Sequence, residues 1–206
     1  MKALITRKVG MTSLIGEDGV VTPITILDAS LNVVVGKRTL ETDGYSALIL
    51  GAGNAKKQAK PQVGMLKASN ANPSVISEIR LRSEDIDQLN VGDKLNVDVF
   101  SIGDVVSVSA NNKGKGWAGT IKRHNFHRGR KTHGGGSYRR VGSIGSMYPQ
   151  HILKGKKMAG RMGNTRVTTR GLKIAYIDVA KNAIGVKGAV PGPRKGIVLL
   201  KGMGSN

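Results

Sequence analysis

The sequence predicts a mainly β protein: an antiparallel β-barrel interrupted by a long basic, largely irregular extension. Three observations predict it. Short runs of Val, Ile, Leu and Thr recur through the first half and return near the C-terminus, separated by turn signals. Aromatic residues are only 3% of the chain, so any core must be aliphatic. Charge is sharply divided. Residues 1–109 carry twelve Lys/Arg and twelve Asp/Glu, whereas 110–206 carry 21 Lys/Arg and one acid, Asp178, so the whole net charge of +20 belongs to the second half.

Residues 2–6, 20–28, 31–39, 45–50, 75–82, 94–100 and 104–109 read as strands. Strict alternation is clearest over Leu95–Val99 and Val106–Ser109. Glu17-Asp18-Gly19, Thr42-Asp43-Gly44 and Val91-Gly92-Asp93 read as turns. Residues 52–74 form a polar insertion with some helix, and Ser83-Glu84-Asp85-Ile86 opens a short helix with Ser83 as its N-cap. Strands resume at 172–177, 184–187 and 197–200. A length of 206 residues suits one domain and an appendage. The barrel is therefore expected to comprise 1–111 and 171–206, and the extension 112–170.

From 113 to 170 there are fifteen Lys/Arg, no acid, many glycines and all four histidines. Such a segment repels itself, and its glycines add backbone entropy that folding must overcome. Alone it should be mobile, and an external polyanion should make it compact. A solvated basic linker is the plain alternative, but linkers rarely interleave aromatic residues such as Trp117, Phe126, Tyr138 and Tyr148 with their charges. Residues 117–123 suggest a short helix with Trp117 and Ile121 on one face, and Trp117 reads as a packing anchor at the root rather than a base-stacking platform. Residues 142–153 carry no charge and lie between two charged arms, as the tip of a hairpin-like excursion would.

Several chemistries are excluded. Without cysteine there is no disulfide, thiolate zinc site, iron–sulfur cluster or cysteine nucleophile. No G-x-x-x-x-G-K-[ST] or G-x-S-x-G motif occurs, and Gly51-Ala52-Gly53 lacks the rest of a dinucleotide fingerprint. His124-x-x-His127 with His133 has zinc-like spacing, but it lies among Lys122, Arg123, Arg128, Arg130 and Lys131, which repel a dication. No metal, cofactor or small-molecule substrate is expected. No apolar run approaches the roughly 18–20 residues of a membrane span. Lys2, Arg7 and Lys8 break any signal-peptide core, and absent cysteine is compatible with a reducing compartment.

Nucleic acid remains as the partner. Each neutralised phosphate releases condensed counterion, and imidazole and guanidinium groups both stack and bond phosphate. A single unpatterned excursion suits folded RNA better than DNA, whose architectural binders rely on basic helices or paired arms. The expected contacts are Lys113, Lys115, Lys122, Arg123, His124, His127, Arg128, Arg130, Lys131, His133, Arg139, Arg140, Lys154, Lys156, Lys157, Arg161, Arg166 and Arg170. A barrel enzyme with a basic lid for a phosphorylated substrate is the alternative of a different class; turnover of a soluble substrate would distinguish it.

Five strings carry a specific resemblance. They are Arg7-Lys8-Val9-Gly10-Met11-Thr12; Lys113 to Arg123 (KGKGWAGTIKR); Gly142-Ser143-Ile144-Gly145; Lys154 to Asn164 (KGKKMAGRMGN); and Val186 to Gly192 (VKGAVPG). In this order and over nearly the whole length, the chain resembles the large-subunit ribosomal protein L-three family in its bacterial form. The resemblance implies a translation-protein-type barrel and an extension buried in 23S rRNA, in the cytoplasmic ribosome beside other large-subunit proteins. It also implies an early, non-catalytic role in assembly. Carried over, the tip comprises Ser143, Ile144, Gly145, Ser146, Met147, Tyr148, Pro149, Gln150 and His151, reaching towards the peptidyl-transferase region. Some bacterial members carry a methylated glutamine three residues after GSIG. Here that place is Tyr148, or Met147 counted back from KGKK, and Gln150 matches neither count, so glutamine methylation is not expected.

Overall fold

The computed structural model of the chain describes residues 2–30, 32–81, 86 and 88–203. It divides into two compact units, one of residues 1–112 and 166–206 and one of residues 113–165.

The first unit is mainly β. Six strands close an antiparallel barrel: β1 (Ala3–Ile15), β2 (Val21–Asp28), β7 (Val105–Asn111), β10 (Arg166–Asp178), β11 (Ala183–Lys187) and β12 (Ile197–Gly202). Their order around the barrel is β1-β12-β7-β10-β11-β2, so the first and last strands pair, Ala3 opposite Lys201 and Arg7 opposite Ile197. The short strands predicted in the first half do not all enter the barrel. β3 (Asn32–Arg38), β4 (Ala47–Ala52), β5 (Val75–Arg80) and β6 (Lys94–Leu95) form a second antiparallel sheet in the order β5-β4-β3-β6. All six residues of β4 are buried, so its apolar run covers both faces, whereas β7 alternates with Val106, Val108 and Ala110 inward.

One aliphatic core joins the two sheets. Leu27, Val108, Ile174, Ile184 and Leu200 come from the barrel, while Val34, Leu48, Leu50 and Val97 come from the second sheet and the turn after β6. Burying a side chain of this size stabilises the fold by about 1.5–3 kcal/mol. Asn32 is the polar fastening between the sheets. Its side chain accepts from the Ile5 N–H at 2.9 Å and donates to the carbonyls of Ile5 (2.9 Å) and Ala29 (3.0 Å). A buried amide with these partners acts as a one-residue strand, leaving neither backbone group of Ile5 unsatisfied.

The Lys8 side chain is buried and donates to the carbonyls of Val190 (2.6 Å) and Gly192 (3.2 Å). Backbone bonds between Lys8 and residues 195 and 196 hold the same strap against β1. Two of the recognised strings, Arg7–Thr12 and Val186–Gly192, thus fasten one another inside the first unit.

Three local expectations change, and a fourth lies outside the described residues. β1 continues to Ile15 rather than stopping near residue 6, held there by pairing with β2; beyond Lys8 its residues are mostly exposed and carry no apolar alternation that would reveal it. Residues 94–100 are not one strand: only Lys94–Leu95 pair, and Val97–Val99 form a 3₁₀ turn. Val97 and Phe100 are buried three residues apart, the spacing of such a turn, which mimics alternation when read with Leu95. β10 begins at Arg166, six residues before the predicted strand, where it pairs with β7; the exposure of Arg166 to Thr168 hides this part of the pattern. The helix expected from Ser83 falls outside the described residues except for Ile86, which is buried. Between β4 and β5 the polar insertion contains a helix, α2 (Lys60–Leu66), following α1 (Leu40–Asp43) in chain order.

Candidate nucleic-acid interface

The second unit is inserted between paired strands, since Asn111 of β7 and Arg166 of β10 lie opposite one another. Its framework is small. β8 (Trp117–Ala118) pairs antiparallel with β9 (Gly160–Arg161), with Trp117 opposite Arg161 and Ala118 opposite Gly160. Bonds from Lys115 N to Met162 O and from Met162 N to Gly116 O, both 2.9 Å, extend the ribbon. A short helix, α3 (Thr120–His124), follows and ends at Asn125, which takes the left-handed conformation.

Two side chains of α3 clamp the returning arm. Arg123 Nη1 donates to Met158 O at 2.9 Å, and His124 Nε2 lies 3.1 Å from the same oxygen. The Arg123 guanidinium lies so close to Gly160 that a Cβ there would be 2.7 Å from Nη1. At Gly163 the backbone has φ +76°, and a Cβ would run into the Lys113 carbonyl. Glycine at these two places lets the outgoing and returning arms meet, which gives the KGKKMAGRMGN string a structural reason.

Beyond this framework there is no core: no residue from Ile121 to Ala159 is buried. Phe126 is half-buried, its ring tilted against His124 at 6.2 Å between centroids. Gly129 N donates to Tyr138 O at 2.9 Å and the Tyr138 hydroxyl to Lys131 O at 3.3 Å, closing a loop. Arg128, Lys131 and Arg139 share an open pocket with Tyr138. In the uncharged stretch, Ser143 Oγ donates to Gly145 O and Ser146 Oγ to Tyr148 O, so these hydroxyls shape their own turns. Met147 and Tyr148 are 92% and 85% exposed.

The expected contact residues fall into three groups. Lys113, Lys115, Lys122, Arg161 and the long run through His127, Arg128, Arg130, Lys131, His133, Arg139, Arg140, Lys154, Lys156 and Lys157 are exposed in the second unit. Arg123 and His124 are engaged with Met158. Arg166 and Arg170 are exposed on β10, in the first unit. Trp117 departs from expectation. It precedes α3 rather than sharing a helical face with Ile121, and it is 79% exposed. Ala118 and Thr120, at 4% each, take the inward positions, and strand alternation turns Trp117 outward. The signal lay in the small residue beside it, which marks the packed face of so narrow a ribbon.

Ion pairing separates the units further. Lys2 pairs with Asp104, and Arg38 with Asp43 and Glu78, all in the first unit. A hydrogen bond from the Thr42 hydroxyl, helped by the Arg38 guanidinium, lowers the proton affinity of Asp43; the Lys2 ammonium and the Ser101 N–H do the same for Asp104. From Lys113 to Thr165 there are thirteen Lys/Arg and no acid at all.

Residues 53–183 match the family model described as Ribosomal protein L3. The chain belongs to the ribosomal protein L3 family. A large ribosomal subunit protein uL3 from Heliobacterium modesticaldum is 45% identical over 203 residues, covering 97% of this chain and 96% of that protein. The uL3 protein of Geobacillus kaustophilus is also 45% identical, with 97% and 94% covered, and that of Bacillus cytotoxicus is 43% identical, with 98% and 96% covered. The family match spans the whole second unit and continues into β10 and β11.

Proposed function

We propose that this chain is a structural, non-catalytic constituent of the large ribosomal subunit that binds and organises 23S rRNA through its basic unit. The observation that carries this reading is the coincidence of thirteen cations, no acid and no core between Lys113 and Thr165. That segment lacks counter-charge of its own and, from Ile121 to Ala159, any buried residue, and a folded polyphosphate supplies the first while replacing the second. Family membership supports the ribosomal setting, and the uL3 relatives are named as large-subunit proteins.

In this reading Arg128, Arg130, Lys131, Arg139, Arg140, Lys156, Lys157 and Arg161 contact phosphates directly. Arg123 and His124 contribute by holding the arms at Met158. The uncharged tip, Ser143 to His151, reaches towards the peptidyl-transferase region, as the resemblance implies, and early binding of the basic arms helps order assembly. The first unit, which holds all thirteen acids of the chain, faces neighbouring ribosomal proteins or solvent in the cytoplasmic ribosome. Among the described residues no helix is long and apolar enough to cross a membrane.

Binding of a 23S rRNA transcript by the full chain, measured over a salt series, tests the proposal. Six to ten phosphate contacts predict an affinity loss of about 10³–10⁵ between 50 and 200 mM salt. Protease should cut within 113–165 in the free protein and be excluded when rRNA is bound. A shallow salt dependence, or cleavage equal with and without RNA, would refute it.

A further inference from the structure

We propose that Trp117 and Arg161 form a stacking platform for one unpaired nucleotide of the bound RNA, the indole taking the base and the guanidinium the adjoining phosphate. This rests on the rRNA-binding reading and deepens it. An indole is among the largest apolar surfaces a side chain offers, and it is ordinarily well covered. Here it is 79% exposed on the best-built part of the second unit rather than on an open loop. Ala118 and Thr120 are buried, ladder bonds flank the ribbon on the Lys115–Met162 side, and Arg123 pins the returning arm at Met158. The indole is thus held outward before any ligand arrives, which reduces the ordering cost of binding.

The neighbours of the indole define the ligand. The antiparallel register sets Arg161 directly opposite Trp117, on the same side of the ribbon. Among the described residues neither an aromatic ring nor a cation is stacked on the indole; the ring contacts are His124 with Phe126 and Arg80 with Tyr45. An aromatic plane beside a guanidinium, in a unit without a carboxylate, matches a flat heterocycle joined to an anion. A nucleotide has both parts. It must be unpaired, because bases inside an RNA helix are already stacked on both faces, whereas splayed bases stack readily on aromatic side chains.

The chain has a single tryptophan, so its emission reports on this site alone. Full-length protein would be titrated with a 23S rRNA transcript and, separately, with a fully paired RNA duplex, retention on a filter and indole emission being read together. The transcript should quench the emission and shift it to shorter wavelength, while the duplex, bound at low salt, should leave it unchanged. Trp117→Ala should weaken transcript binding by about 5- to 150-fold, the range for loss of one base–aromatic stack. Trp117→Phe should retain most of the affinity, which separates stacking from a folding defect. Arg161→Gln should lower the salt slope by about one. Transcript binding equal in wild type and Trp117→Ala, with or without quenching, overturns the platform and leaves the functional reading intact. Transcript retained by neither protein overturns the functional reading and the platform with it.

Discussion

The two units solve the same electrostatic problem in opposite ways. In the first, charged groups meet partners from the same unit: Lys2 has Asp104, Arg38 has Asp43 and Glu78, and buried Lys8 donates to two backbone carbonyls. In the second, thirteen cations have no acid among them, and no side chain from Ile121 to Ala159 is buried. The difference teaches where each unit's order originates. One is specified by its own aliphatic core; the other has a short hydrogen-bonded ribbon and otherwise waits on a partner of opposite charge. Glycine serves both, but in the second unit it brings arms together at Gly160 and Gly163 where apolar packing does not.

The largest effect should come from removing charge without touching the fold. Neutralising Arg128, Arg130, Lys131 and Arg139 together to glutamine removes four phosphate contacts, each worth a salt slope of about 0.7–0.9. The slope of log affinity against log salt should shrink by roughly 3, so a fourfold rise in salt would cost roughly 50- to 150-fold less than in wild type. All four side chains are exposed in the second unit, so the melting temperature of the barrel should not move. A variant that lost barrel stability and kept its salt slope would invert the comparison.

A core truncation should do the converse. Leu50 is fully buried in the second sheet, and Leu50→Ala should cost about 2–5 kcal/mol, lowering the melting temperature by roughly 5–15 °C. The rRNA salt slope, measured below the transition, should stay as it was. Met147 is 92% exposed, and Met147→Ala should change stability by less than about 0.5 kcal/mol. Calorimetry on the two variants separates an apolar residue that builds the fold from one that does not.

Much of this contrast is legible in the sequence because charge composition and period-two alternation are local signals. The change from twelve acids in one half to a single acid in the other needs no structure, and Val106, Val108 and Ala110 alternate as they pack. What escapes is long-range. Nothing local says that β3 to β6 leave the barrel for a second sheet, because that depends on β1 being closed by β12, nearly two hundred residues away. The Asn32 fastening is similarly hidden, since two of its three hydrogen bonds go to Ile5, 27 residues earlier. The exposure of Trp117 escapes for a related reason. Aromatic residues are buried on average, but this strand has room for only one packed face, and Ala118 already occupies it.

The smallest effect concerns the ion pairs within the first unit. Asp104 accepts from the Lys2 ammonium and from Ser101 N–H, and both favour its charged form, so its folded-state proton affinity lies below the ordinary carboxylate value. Unfolding returns that affinity to about 3.9. The unfolded chain therefore binds the proton more readily, and the pair's contribution to stability is complete above that pH and disappears as pH falls through the lower folded value. Both side chains are partly exposed, at 43% and 23%, so solvent screens the pair and the effect should be modest. Asp104→Asn should lower the melting temperature by about 1–3 °C at pH 7, with the gap to wild type closing as pH is brought below 3. A gap that persisted in acid would mean that Asp104 acts through hydrogen bonding that asparagine cannot reproduce rather than through charge. The second unit carries no acid, so no carboxylate of its own can give it a corresponding acid-dependent loss.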